Sequence, residues 1–389
     1  MPTTRFGGRL MTGTTTTEST EAAEKLAGKE STDVVERLTK LVSPARFNHW
    51  YKNREYQRNI REGQHYFNSP RSVKSPDQHS PSSLLQCSRK TAYKQQIAPE
   101  EESDPIGIFW IGSRFESDIV VPFLEDVVGD SEYVTNSLWV DYTVNTDAGK
   151  ICIKGETDPV VVTADADPII LTEIKTTRSV ENLDKPKPHH KAQTHAYLKG
   201  LSEKYDRKIT DAIILYGSRS TFDIKTFKIE FDPYFWRNTV LSWAGSHTEY
   251  RLNNDLPPGT PEYGWECNFC SYRERCGKGN SKFENIGATG LLPGFTGYPR
   301  EKVVEYLKAH DGSKLTPSLA HHYPDLAVEY DVFDWKCRGC GETVPWDAVD
   351  WDSDNSSSPS CSACDKPKPV SLLVGPAPAE QRTGGKHDQ

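Results

Sequence analysis

The sequence predicts an α/β fold with a mixed central sheet flanked by helices, followed by a small cysteine-bound module. Strand-like runs at 133–144, 150–154, 160–163 and 169–177 lead into a helical stretch at 187–201. Further strands at 212–217 and 223–231 and a helix at 233–251 come next. Strands and helices interleaved in this order describe a sheet with helices packed on it. Ahead of them, 112–128 places Phe115, Ile119, Phe123 and Val127 at four-residue spacing, the period of a helix face.

In chain order, residues 1–30 are Thr/Ser/Gly/Glu-rich without periodicity and are expected to be disordered. Translation could begin at Met1 or Met11. Residues 33–42 carry Val34, Val35, Leu38, Leu41 and Val42 on one helical face, with Asp33 and Glu36 at capping-box spacing. From 43 to 83 the composition is basic and aromatic, then Ser/Pro-rich, and reads as an extended arm or linker. A capped helix is expected over 80–93, carrying Cys87 near its middle. The expected organisation is a disordered 1–30, a helix and basic arm at 31–79, a catalytic domain at 80–280, a connector at 281–330, a metal ribbon at 331–373 and a disordered tail at 374–389. The connector includes a helical stretch at 300–309.

The chemistry concentrates between Gly155 and Lys175. Asp158 closes one strand-like run, while Glu173 and Lys175 sit two apart on the next, so strand alternation points both to one face. Carboxylates suit a hard divalent cation such as Mg²⁺ or Mn²⁺, and a neighbouring lysine can orient water for attack on phosphorus. The same residues also fit a turn followed by a same-face ion pair on a solvated strand. At i,i+4 spacing on the next helix, Gln193 and Tyr197 share a face.

Charge bounds the partners. A net charge of −8 is unfavourable for broad phosphate contact, but 175–208 carries nine Lys/Arg against four Asp/Glu, directly after the acidic stretch. No apolar run approaches bilayer length and no signal-peptide pattern opens the chain, so a soluble cytoplasmic protein without membrane contact is expected.

Nine cysteines divide by spacing. Cys337, Cys340, Cys361 and Cys364 form C-x2-C-x20-C-x2-C, two knuckles separated by a β-length insert, which reads as a zinc ribbon. Cys267, Cys270 and Cys276 form C-x2-C-x5-C and lack a local fourth ligand. Cys87 is the candidate, because Cys152 lies in an apolar strand where a core position is expected. Four thiolates there could hold zinc or an iron–sulfur cluster. The acidic insert at 347–354 favours a partner or structural role for the ribbon over phosphate contact.

With these residues in hand, the stretch from about 81 to 276 resembles the RecB-like branch of the PD-(D/E)XK nuclease superfamily. Within it the chain is most similar to the CRISPR-associated exonuclease family known as the fourth Cas protein. The motifs occur in that family's order: Ser-Pro-Ser-x-Leu-x-x-Cys-x-Arg at Ser80–Arg89, a glycine helix start at Gly112, Gly-x-x-Asp at Gly155–Asp158, Glu-x-Lys at Glu173–Lys175, Gln-x-x-x-Tyr at Gln193–Tyr197, then the cysteine trio.

The resemblance implies a restriction-endonuclease-like core and a metal-dependent (exo)deoxyribonuclease acting on single strands or DNA ends. Asp158, Glu173 and the Ile174 carbonyl would hold Mg²⁺ or Mn²⁺, Lys175 would be catalytic, and Gln193 and Tyr197 would support the site. Cys87, Cys267, Cys270 and Cys276 would hold a [4Fe-4S] cluster. RecB-like members usually have histidine four residues after the helix-start glycine; here Glu116 stands there, and other branches place a glutamate metal ligand at that point. The implied partners are DNA and CRISPR-adaptation or repair proteins. The long N-terminal arm and the ribbon depart from a compact member, so a nuclease of a mobile element or virus, an RNA substrate, and a non-catalytic nucleic-acid scaffold also fit.

Overall fold

A computed structural model describes residues 34–39, 41–42, 44–61, 63, 72–100, 106–273, 275–279, 287–288, 291–294, 296–351, 358–364, 372–376 and 380–381. The expectations for 1–30 and for most of 374–389 lie outside them. The chain divides into two compact units, Met1–Pro70 and Arg71–Gln389. No helix among the described residues is long and apolar enough to cross a membrane.

In the first unit, residues 34–39 are helical, and α1 spans Pro44–Arg61. This corrects the extended arm expected there. Between Pro44 and Arg61 no glycine or further proline interrupts the Arg, Lys, Gln and Glu that favour helix, and Arg58 and Arg61 sit favourably in the last turn.

The second unit opens with β1 (Gln78–His79) and a 3-10 turn at Pro81–Ser83. Helix α2 then spans Ser88–Gln95, so Cys87 is its N-cap and not a mid-helix residue. Pro81 starts a 3-10 turn, and Leu85 at φ +58° breaks any continuous helix. Helix α3 (Ile106–Phe115) runs through a π-helical segment, Glu116–Val120, into α4 (Val121–Val127).

The run expected as one strand at 133–144 is two, β2 (Glu132–Thr135) and β3 (Trp139–Thr146), in different sheets. Next come β4 (Gly149–Glu156), β5 (Val160–Thr163) and β6 (Pro168–Thr177), then α5 (Pro188–Lys204), β7 (Asp211–Ser218) and β8 (Ile224–Glu230). Helix α6 (Pro233–Phe235) continues through a π-helical Trp236–Leu241 into α7 (Ser242–Leu252).

The result is mixed α/β with two mixed sheets where one was expected. One has order β1-β4-β3 and the other β2-β5-β6-β7-β8, in which only β6 and β7 run parallel. Cys152 faces outward from β4, half-buried with its Sγ 3.4 Å from Asp141 Oδ1. It shares strand alternation with exposed Lys150, while Ile151 and Ile153 take the core.

Helix α5 is the central beam. Ala192, Ala196, Leu198 and Leu201 are fully buried in the main apolar cluster, and Tyr142 donates to the Ala196 carbonyl at 2.7 Å. His195 is structural: its Nδ1 meets the Lys191 carbonyl at 2.8 Å and its Nε2 accepts the Asp232 amide at 3.0 Å.

A buried polar network ties β1 and α2 to α7. His79 Nε2 meets Thr248 Oγ1 at 2.8 Å, His247 bridges Ser88 Oγ at 2.7 Å and Gln95 Oε1 at 3.0 Å, and Arg251 joins Gln95 and the Lys74 carbonyl. Burial lowers His79 to about 4, His195 to about 4 and His247 to about 3. Their folded values lie below the ordinary 6.5, so the unfolded chain binds the protons first. The histidines' contribution to stability is present in full above pH 6.5 and is lost as pH falls from there towards 4, by on the order of 1 kcal/mol per pH unit for each histidine. Urea midpoints at pH 7, 6 and 5 measure the slope, and His247→Gln should flatten it.

The stretch expected as a connector builds its own helical cluster from α8 (Arg300–Ala309), α9 (Pro317–His322) and α10 (Leu326–Glu329), around Val303, Tyr306, Leu315 and Leu319. A three-stranded antiparallel sheet follows, order β10-β9-β11, from β9 (Trp335–Cys337), β10 (Thr343–Val344) and β11 (Leu373–Val374). His321 packs against the rings of Trp335, Trp346 and Trp351 and meets the Trp346 carbonyl at 3.0 Å, joining helices to sheet.

Candidate active site and metal centres

The acidic site forms where the loop after β4 meets β6 and the start of the π-helical segment. Asp158 is held by a bond from the Ile174 amide to its Oδ2, 2.7 Å. Glu173 is fully buried on β6, and Lys175 emerges two residues later on the same face. Lys175 Nζ contacts Glu173 Oε1 and lies 3.7 Å from Asp158 Oδ2, bridging the two carboxylates. Apart from that contact, neither Glu173 oxygen meets a hydrogen-bond donor among the described residues. A buried carboxylate so poorly satisfied is costly in a purely structural role.

The electrostatics agree with that cost. Burial, then the Asp158 charge, raises Glu173 to about 8, and the same two causes raise Glu116 to about 8. Burial alone would lower Lys175, but Glu173 and Asp158 hold it above its usual range. Asp158, Glu173, Glu116 and Lys175 therefore share one field. Glu116 opens the π-helical segment, a local distortion that often occurs at functional sites.

Gln193 and Tyr197 are both buried on α5, and the Gln193 side chain hydrogen-bonds the Tyr197 hydroxyl. Burial, then Glu173 and Asp158, raises the Tyr197 pKa, so the hydroxyl stays protonated. Gly155 permits this packing: a Cβ there would lie 2.7 Å from Pro81 Cδ and 3.5 Å from Tyr197 Cε1.

Gly217 performs the same service for Glu116. A Cβ on Gly217 would lie 2.1 Å from Phe115 Cζ, in the ring that precedes Glu116. Gly217→Ala is expected to displace Phe115 and to cost about 1–3 kcal/mol by overpacking, with a loss of activity if Glu116 is a ligand. Thermal melts and cleavage assays on the variant check both.

Three residues near the site had no assigned role in the sequence. Glu156 adds to the raised Glu116 pKa. Tyr216 pairs with Lys175 in the β6–β7 ladder, and its hydroxyl accepts the Lys187 amide at 3.0 Å and meets His190 Nδ1 at 2.8 Å. Burial, then His189 and Lys175, lowers His190, keeping it neutral. Glu156 lies within the Gly-x-x-Asp motif; strand pairing sets Tyr216 beside Lys175, and the packing of α5 on β7 brings His190 to it.

The two cysteine groups differ in spacing. In the C-terminal group, Cys337 and Cys364 sulfurs are 3.7 Å apart and Cys340 and Cys361 are 3.9 Å apart. Tetrahedral coordination at a Zn–S distance of about 2.3 Å requires sulfurs about 3.8 Å apart. Amides of Cys340 and Gly339 point at Cys337 Sγ and lower its thiol to about 6, favouring thiolate. This quartet can hold a metal, and it is the only group of three or more such ligands within 4.8 Å of one another among the described residues.

Cys87, Cys267, Cys270 and Cys276 line one small recess. No three of their sulfurs lie within 4.8 Å of one another, unlike those of the C-terminal quartet. Arg89 secures the recess, donating to the carbonyls of Pro257 at 2.8 Å and Cys276 at 3.2 Å. Buried Arg275, inside the trio, donates to the carbonyls of Gly287 and Leu291, each at 2.6 Å, tying this loop to the helical cluster.

No protein-family model matches the chain, and no curated protein matches it. Among solved structures, the crystal structure of SSO0001 is similar at 20% identity and a TM-score of 0.38, over 58% of this chain and 95% of that one. The crystal structure of Scheffersomyces stipitis Rai1 is similar at 21% identity and a TM-score of 0.19, over 32% of this chain and 33% of that one. Neither superposition is close enough to carry an argument about this chain.

Proposed function

We propose that this chain is a divalent-metal-dependent nuclease of the RecB-like PD-(D/E)XK type, hydrolysing phosphodiester bonds in single-stranded DNA or at DNA ends. The observation that carries the reading is Glu173: a fully buried carboxylate with no donor other than Lys175 among the described residues, beside a second carboxylate and near a third. Such a group fits a hard cation. Asp158 and Glu173, with Glu116 and the Ile174 carbonyl, would hold Mg²⁺ or Mn²⁺. When bound, the cation supplies Lewis-acid polarisation of a phosphoryl oxygen and a lowered pKa for water.

The chain's own residues do the rest. Lys175, kept protonated, presents its ammonium between the carboxylates, where it orients the attacking water and stabilises charge on a phosphate oxygen. Asp158 is fixed for its role by the Ile174 amide. Tyr197, oriented by Gln193, donates from the α5 side. The basic residues of 175–208 attract the phosphate backbone.

In this reading 80–280 is the nuclease domain and 331–373 a zinc ribbon. The wider front quartet suits a [4Fe-4S] cluster better than one tetrahedral ion, and the compact C-terminal quartet suits zinc. The experiment is an assay of single-stranded, duplex and RNA strands with Mg²⁺ or Mn²⁺, alongside iron, sulfide and zinc analysis of anaerobically purified protein. Strand cleavage lost in Lys175→Ala is the expected result. Cleavage that persists in Lys175→Ala, or binding without cleavage in any divalent metal, would overturn the catalytic assignment.

A further inference from the structure

The turn joining β7 to β8 carries a residue that neither the fold nor the acidic site explains. It is tightly ordered: Ser218 Oγ accepts from the amides of Ser220 at 3.3 Å and Thr221 at 3.2 Å, and donates to the Arg178 carbonyl at 3.1 Å. The Arg219 amide donates to the Thr177 carbonyl at 2.8 Å and the Phe222 amide to the Ser218 carbonyl at 3.1 Å. The turn is thus anchored to the end of β6, two and three residues beyond Lys175.

On this rigid turn Phe222 stands at φ +64°, in the left-handed region where a side chain is strained and glycine or asparagine is preferred. Its side chain is 68% exposed. Its ring meets Phe115 edge-on at a centroid distance of 6.4 Å, and Phe115 immediately precedes Glu116. Phe222 is therefore close in the fold to both arms of the acidic site. A strained backbone that holds a largely exposed phenyl ring, with an edge-on contact to Phe115, is costly, and such strain is typical of functional positions. Arg178 and Arg219 flank it, both exposed, and neither pairs with a carboxylate among the described residues.

We infer that Phe222 is a stacking platform for an unpaired base of single-stranded DNA, with Arg178 and Arg219 gripping the adjoining phosphates as the strand enters the acidic site. Unpaired bases offer a π-face to an aromatic ring, whereas those of an intact duplex are stacked on one another; the two arginines supply the complementary charge. The assignment rests on the nuclease reading for the identity of the strand, and it adds the selection of single strand over duplex.

The test uses the full chain with Ca²⁺ in place of Mg²⁺. The probe is a single-stranded oligonucleotide of about 20 nucleotides, long enough to cover a typical single-strand site, carrying one 2-aminopurine, and the same sequence as a duplex. Phe222→Gly is expected to melt no lower than the parent, because it relieves the strained φ. It should bind the single strand about 5- to 150-fold more weakly, lose the stacking quench of 2-aminopurine, and bind duplex unchanged. Phe222→Tyr should restore affinity and quench, and Tyr234→Ala, an exposed aromatic elsewhere, should change neither.

Unchanged single-strand affinity and quench in Phe222→Gly would overturn the platform, as would an equal loss on single strand and duplex. The two proposals fail separately. A parent protein that binds as expected but cleaves nothing with Mg²⁺ or Mn²⁺ sinks the nuclease and leaves the platform. Cleavage by a Phe222→Gly protein with parental single-strand affinity does the reverse.

Discussion

Glu173→Gln is expected to remove cleavage by at least about 10³-fold, the scale of a lost metal contribution, while making the metal-free protein more stable. The carboxylate is fully buried and raised to about 8. In the unfolded chain it titrates near its ordinary 4.5, so its contribution to stability is present below pH 4.5 and is lost as pH rises towards 8. At pH 7 the isosteric amide removes a penalty on the order of 1–3 kcal/mol, and Asp158 Oδ2, at 3.7 Å, still faces Lys175. Melting curves from pH 5 to 8 should show the variant gaining stability over the parent as pH rises. Glu116, also raised to about 8, leaves it a residual slope.

Added Mn²⁺ should raise the melting temperature of the parent by mass action and that of Glu173→Gln much less. A parent melting temperature indifferent to every divalent cation would remove the metal site. A variant destabilised at pH 7 would mean that Glu173 serves the fold through its ion pair with Lys175.

Preventing metal binding at the C-terminal cysteine quartet is expected to have an effect as large, confined to another part of the chain. Structural zinc in small modules contributes an apparent binding free energy of about 10–16 kcal/mol at neutral pH. The three strands β9, β10 and β11 are only two or three residues long, and Cys337 and Cys361 are themselves part of the small apolar cluster around Trp335 and Leu373 that holds them. Cys361→Ser is expected to lower bound zinc by one ion per chain and expose the 331–376 region to limited proteolysis. The Trp335–His321–Trp351 cluster should open, with a red shift in tryptophan emission. Full zinc content in Cys361→Ser, or an unchanged digest, would contradict this assignment.

Much of the architecture was legible because local patterns agree with tertiary packing. Helix α8 begins and ends where its periodicity begins and ends. Strand β6 buries Leu171, Glu173 and other members of a run too apolar for a surface strand. Misreadings occurred where local signals are ambiguous. A basic, aromatic stretch has no fixed apolar face, so α1 read as an arm. Asn136–Leu138 is too short a break to separate β2 from β3, although the two strands enter different sheets. Cys152 read as core because an apolar strand was assumed to be buried on both faces, whereas the outer face of β4 is only half covered.

The chemical inventory is written in the order of residues: Asp158, Glu173 and Lys175 in strand register, Gln193 and Tyr197 one helical turn apart, and two sets of thiols whose spacing suits metals. Residue type and short-range period suffice for these, because each is a local property of the chain. Which groups meet is set by the packing of the folded chain. The parallel β6–β7 ladder sets Tyr216 beside Lys175, Gly217 makes room for Phe115 and so locates Glu116, and α2 presents Cys87 to a trio about 180 residues away. Those contacts are set by strand pairing and close packing between distant segments, and no local pattern encodes them.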